Sequence, residues 1–210
     1  MLNLTETVKT AERCQRNWDY SNPVTQEDIE KIVGVATSMP TKNNRSYYEL
    51  IVSTDLDFNK MCYTHAIDKN NPHFNREIHR NTQVLAPLLL IWRPTPISNI
   101  KDPFDDNFTT SYLVSIGIST GAAVLTANSL GYRSGYCQCI EQEELNAEMK
   151  KRYNISITDG YSGEPDPIIV GFGHPDPNFS RRDCVVNGVI GYKAETVDKT
   201  INIKYVSQSG

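Results

Sequence analysis

The sequence predicts an α+β fold, a mixed and mainly antiparallel central sheet flanked by helices, in a single domain spanning residues 1–210 that assembles as a homodimer. Three observations predict it. Residues 109–131 run without one charged side chain, and Leu113, Ile116, Val124, Leu125 and Leu130 keep helical spacing among Ser, Thr, Gly and Ala, which describes a helix buried on nearly all sides. Two short apolar runs, residues 86–92 and 167–173, suit strands buried on both faces. Segments of helical period alternate with these strands, and no repeat, low-complexity tract or long linker divides the chain.

Composition narrows the function classes. With 39% hydrophobic and 22% charged residues, 210 residues can enclose a sizeable core. A formal net charge of −4 argues against nucleic-acid or anionic-membrane partners, so a basic cluster here is expected to serve a small anion. The charge-free run is long enough to cross a membrane, but Ser111, Ser115, Ser119, Thr120, Thr126 and Asn128 make it too polar, and no membrane partner is expected. The first fourteen residues carry acidic side chains and no apolar signal core, which predicts a cytoplasmic protein. Five cysteines without a regular framework fit reduced thiols.

In chain order, Leu4, Val8 and Ala11 share a helical face that leads into Arg13 and Arg16, two guanidinium groups on one side of a helical turn. Such a pair is either a solvated basic face or a clamp for an anion such as phosphate. Thr25 and Asp28 form a capping-box pattern for a helix to about residue 38, with Ile29, Ile32, Val33 and Ala36 as its buried stripe. A donor-rich loop, residues 39–48, runs into a strand at 49–52. Residues 57–80 form a helical and loop segment holding Cys62, His65, His73 and His79; without a second tight pair they predict no metal site. The strand at 86–92 is followed by an irregular insertion to residue 107 and then by the charge-free helix. Gly131 closes that helix, and Gly117 and Gly121, each costing about 1 kcal/mol of helix propensity, open a face where a partner helix crosses. Thereafter come a strand at 132–140, a helix at 141–152, the strand at 167–173, a second arginine pair at Arg181 and Arg182, and late strands at 185–192 and 200–206. The last has no hairpin mate and is expected to extend onto the partner subunit.

These pieces, from about Glu12 to Val186, resemble the FMN-dependent nitroreductase family. Arg13-Cys14-Gln15-Arg16-Asn17-Trp18 is similar to its opening Arg-Ser-x-Arg-x-aromatic motif, and Pro40-Thr41-Lys42-Asn43-Asn44 to its Pro-Ser-x-x-Asn loop. Residues 81–92 resemble its Ala-Pro strand entry, the helix ending at Leu130-Gly131 its central helix, and residues 168–175 its Leu-Gly-x-Pro strand end. The joint order and spacing carry the resemblance.

The resemblance implies that Arg13 and Arg16, with Arg181 or Arg182 from the later pair, converge on the FMN phosphate, where Cys14 takes the place of a phosphate-binding Ser. It implies that Pro40, Thr41 and Asn44 reach the flavin of the neighbouring subunit, that Arg80, Asn81 and Thr82 touch the ring's polar edge, and that Gly135, Tyr136, Cys137 and Gln138 lie along the isoalloxazine. No side chain is expected to act as catalyst, because the chemistry takes place at flavin N5: NADH or NADPH delivers hydride, and a small acceptor, a nitroaromatic, quinone or flavin, then takes the electrons in a ping-pong cycle. Cys14 departs from the usual Ser, and Lys42, Ser46, Gln138 and Cys139 are further departures. Two alternatives stay open: a non-catalytic flavin-binding module, and thiol redox chemistry at Cys137 and Cys139, which on one strand point to the same face.

Overall fold

The computed structural model describes residues 3–67, 80–96, 108–158, 164–195, 201–202 and 204. Helix α1 (Leu4–Ala11) opens with a capping box between Asn3 and Glu6, and α2 (Gln26–Ser38) opens on Thr25, whose hydroxyl accepts from Asp28 N at 3.2 Å. After β1 (Tyr48–Ser53) and α3 (Leu56–His65), a single turn at Thr82–Leu85 leads into β2 (Leu88–Pro94). The long helix α4 (Phe108–Ser129) is followed by β3 (Arg133–Cys137), α5 (Gln142–Tyr153) and β4 (Ile168–Gly173). A hairpin of β5 (Asp183–Val186) and β6 (Val189–Lys193) completes the described elements.

The main sheet has the order β1-β2-β4-β3, and all three pairings are antiparallel. The two apolar runs therefore lie side by side at its centre, Ile91 opposite Ile169. Because successive side chains of a strand point to opposite faces, β2 feeds two cores. Leu88, Leu90 and Trp92 join Ile168, Val170 and Phe172 beneath α2 and α4; Leu89, Ile91 and Ile169 join Phe58, Met61, Leu145 and Met149 beneath α3 and α5. The result is a helix–sheet–helix sandwich with β1 and β3 as the two edges of the sheet.

Hydroxyls let α4 pass through a core without charge. Ser115 and Thr120 donate to the carbonyls of Ser111 and Ile116, and Ser119 donates to Ala36 O at 2.6 Å while accepting from the Trp92 indole at 2.8 Å. Gly131, at φ +99°, ends the helix: its N–H bonds Asn128 O, and Tyr132 N bonds Ala127 O.

Several expectations are corrected. Helix α4 is not buried all round: Val114 is 57% exposed, and Leu113, Gly117, Ile118, Gly121 and Leu125 share its open side. The sheet and α2 cover only one side, a distinction that a run apolar at nearly every position cannot express. By length and composition α4 could cross a membrane; instead its other side packs in the core. Helix α1 turns Leu4 and Val8 outward and buries Thr7. Residues 185–192 are not one strand but parts of two, turning at Asn187-Gly188, both at positive φ as a tight hairpin requires. Of the expected strand at 200–206, residues 201, 202 and 204 carry no strand pairing and the rest lie outside the described residues, as do His73, His79 and the insertion from residue 97 to 107.

Candidate functional site

The first arginine pair is not helical. Helix α1 stops at Ala11, and the segment from Arg13 to Trp18 runs along the outer edge of β3, where Gln15 N donates to Ser134 O at 2.9 Å and the Cys14 thiol lies 3.8 Å from Tyr136 O. An edge strand offers unpaired backbone groups, and one of them, Ser134 O, takes the Gln15 N–H. Arg16 is anchored by its carbonyl, which accepts from the buried Thr82 hydroxyl at 2.7 Å, and its Nε is buried with no hydrogen-bond partner.

Across from it, Arg181 and Arg182 sit on a turn closed by Asp183 N on Ser180 O and by Ser180 N on an Asp183 carboxylate oxygen. Arg182 donates Nε to Ala194 O at 2.6 Å. Burial, followed by the positive charges of Arg13, Arg182 and Arg16, pulls the Arg181 pKa below its ordinary value. The two pairs, 165 or more residues apart in sequence, are thus neighbours in space. None of the ion pairs among the described residues involves Arg16, Arg181 or Arg182. Mutual repulsion with a buried, unpartnered guanidinium nitrogen is the electrostatic signature of a site for an anion.

Thr82, Asn81 and Arg80 are brought to the same end of the sheet, but with their own partners. Thr82 is buried beneath Arg16, Asn81 N donates to Ala66 O, and the Arg80 guanidinium lies 5.6 Å from the centre of the Tyr63 ring. Along β3, Gly135 is covered: a Cβ there would lie 2.4 Å from Gln83 Cβ and 2.5 Å from Gln15 O, so glycine is required by this close approach. Tyr136 and Gln138 are the exposed members of the run, joined by a 3.3 Å hydrogen bond. Cys137 is buried, its thiol pKa pushed up by burial, whereas Cys139 lies exposed beyond the strand end. The expectation that these two thiols share a face is corrected: β3 ends at Cys137, so the alternation does not reach Cys139.

Pro40, Thr41 and Asn44 are elsewhere. Their loop enters β1, the opposite edge of the sheet, and Thr41 donates to Arg45 O while Asn43 and Asn44 adopt positive φ. Pro40, Thr41 and Lys42 line an open depression of about 540 Å³ with Val114, Ser115 and Ile118 of α4. Within one chain the loop and the arginines are not brought together. A separate cleft of about 510 Å³, between Tyr63, Trp18 and the hairpin tip, contains none of the four arginines. Among the described residues no group of three His, Cys, Asp or Glu could hold a metal ion.

Sequence reasoning missed Gln15, Asn17 and Gln83, all buried and all bonded within this site. Only Gly135 hinted at Gln83, since a glycine inside a strand signals a close approach.

Among solved structures the chain is similar to a nitroreductase family protein from Clostridium novyi NT, at 14% identity and a TM-score of 0.61, over 86% of this chain and 90% of that one. It is similar to a nitroreductase with bound FMN from Desulfitobacterium hafniense DCB-2, at 20% identity and a TM-score of 0.59, over 84% and 91%. It is also similar to the NADPH:FMN oxidoreductase of Vibrio harveyi, in complex with NAD+, at 17% identity and a TM-score of 0.60, over 84% and 70%. No protein-family model matches the chain, and no curated protein matches it by sequence.

Proposed function

We propose that this chain, which has the nitroreductase fold, is a homodimeric, cytoplasmic FMN-dependent oxidoreductase that takes hydride from NADH or NADPH and passes electrons to a small acceptor by a ping-pong cycle. The observation that carries the reading is the convergence of Arg13, Arg16, Arg181 and Arg182 in a protein of net charge −4. The residues fit the cofactor's phosphate: a dianion relieves the repulsion at Arg181 and gives the orphaned Arg16 Nε an acceptor. When bound, the flavin supplies hydride chemistry; the protein supplies binding and orientation. Tyr136 and Gln138, at the open end of β3, are the members of that run placed to meet a ring.

The dimer is part of the same reading. The exposed apolar side of α4, with Gly117 and Gly121 free of neighbours within 4 Å of an added Cβ, offers a close helix-crossing surface. Because the Thr41 and Asn44 loop borders that surface and lies far from its own chain's arginines, it is available to the partner's site. Burial of Cys137 disfavours the thiolate that redox chemistry at Cys137 and Cys139 requires.

The visible spectrum of the purified protein, recorded before and after anaerobic NADPH, tests the proposal. A yellow protein bleached by the nucleotide is expected. A yellow protein that NADH and NADPH leave unbleached would reduce the reading to a flavin-binding module, and a colourless one that takes up no added FMN would reject it.

A further inference from the structure

The two arginine pairs are on different segments, so something must hold them in register. The candidate is Asn17, which is 1% exposed. Its Nδ2 donates to Ser180 O at 2.5 Å and to Asp183 O at 3.2 Å, the two ends of the turn whose tip is Arg181-Arg182. Its own backbone belongs to the segment carrying Arg13 and Arg16. The amide is oriented, because Gln15 Nε2 donates to Asn17 Oδ1 at 2.9 Å and to Asn17 O at 3.0 Å; a flipped amide would set two N–H donors against each other. Gln15, in turn, is fixed to the sheet through its N–H on Ser134 O.

We infer that Asn17 is a positioning residue that locks the Arg181-Arg182 turn against the Arg13–Arg16 segment, so that the four guanidinium groups bind the cofactor's phosphate as one preorganised unit. The inference rests on the reading of the cluster as the FMN phosphate site. Bringing four cations together is unfavourable, and a turn released from Asn17 would carry Arg181 away from Arg13 and Arg16. Preorganisation by a buried, oriented amide removes that freedom before the ligand arrives. Asn17 itself touches no phosphate; it acts through the turn.

The test compares FMN with riboflavin, which lacks the phosphate, by titrating flavin-free protein and following flavin fluorescence. In the unaltered protein FMN is expected to bind more tightly than riboflavin; equal affinities would overturn both the phosphate site and the inference. In Asn17→Ala the preference for FMN is expected to shrink about tenfold, the scale of leaving buried groups unpaired, while riboflavin affinity stays the same. Adding Arg181→Ala to Asn17→Ala should then weaken FMN binding less than Arg181→Ala does alone, since the turn is already loose. If the preference is unchanged, or FMN and riboflavin weaken equally, Asn17 is merely a core residue. Should Asn17→Ala fail to fold, Gln15→Met decides by the same ratio: it removes the donor that orients the amide, and a retained preference would contradict the proposal.

Discussion

Cys14 lies between Arg13 and Arg16 in sequence and close enough to act on the Arg181 guanidinium, and its thiol reaches only a 3.8 Å contact with Tyr136 O. A thiol is a weak donor and a hydroxyl a good one, so this position holds less hydrogen-bonding capacity than the motif it resembles. Cys14→Ser is expected to tighten FMN binding by about 0.5–1.5 kcal/mol, a factor of about two to ten, measured by the same fluorescence titration. Weaker binding would mean that the side chain does not face the phosphate. At this scale residue type names the cations but not what they face: each arginine pair reads as either a solvated basic surface or an anion clamp, and only the fold shows that the two pairs are neighbours. The sequence was silent on Asn17, because a buried asparagine bonded to two carbonyls has no local pattern. It misled on Arg13 and Arg16, where spacing of three suggested a helical turn and the open edge of β3 drew the segment out instead.

Elements were legible wherever burial follows a period. The strand β4 and the cap of α2 stand where apolar run length and the Thr25-Asp28 pattern placed them, and β2 lies two residues later than its apolar run, because Ala86 and Pro87 belong to the turn that leads into it. The open side of α4 was not legible, since a helix apolar on both sides shows no contrast for a pattern to report. The hairpin turn at Asn187-Gly188 carries a sequence signal that the expectation of a single strand at 185–192 did not use. One connection between elements makes a pH-dependent prediction. Tyr132, just past α4, donates its hydroxyl to Asp28 at the start of α2 at 2.8 Å; this bond and then Lys31 hold the Asp28 carboxyl below its ordinary pKa. A carboxyl with a depressed folded pKa contributes stability that is present above its unfolded pKa and lost as pH falls through the folded value. Tyr132→Phe should therefore cost about 0.5–1.5 kcal/mol in urea unfolding at neutral pH, and the gap between the two proteins should narrow as Asp28 is protonated. A gap that stays constant across the acid range would show that the bond makes no contribution through the carboxylate.

In the whole molecule, two open features of the chain lie at opposite edges of the sheet. The arginines gather at the β3 edge, the Thr41-Asn44 loop at the β1 edge, and an apolar side of α4 lies uncovered beside that loop. In the proposed dimer, a two-fold pairing through α4 would bring one chain's loop to the other chain's arginines, and dimerisation and flavin binding are then expected to fail together. Val114→Asp, a charge on the exposed side of α4, should yield a monomeric mass in light scattering at micromolar concentration and a loss of bound flavin. A monomer that keeps FMN would place the whole site in one chain. The central claim, that the assembled arginines hold the phosphate of FMN, is tested most directly by titrating flavin-free Arg13→Ala/Arg16→Ala protein with FMN while following its thermal unfolding. Each charge-assisted contact contributes roughly 1.5–3 kcal/mol, so the account predicts FMN affinity weakened by about two orders of magnitude or more in a protein that unfolds cooperatively. FMN binding unchanged in that variant would contradict it and make the arginines a solvated surface.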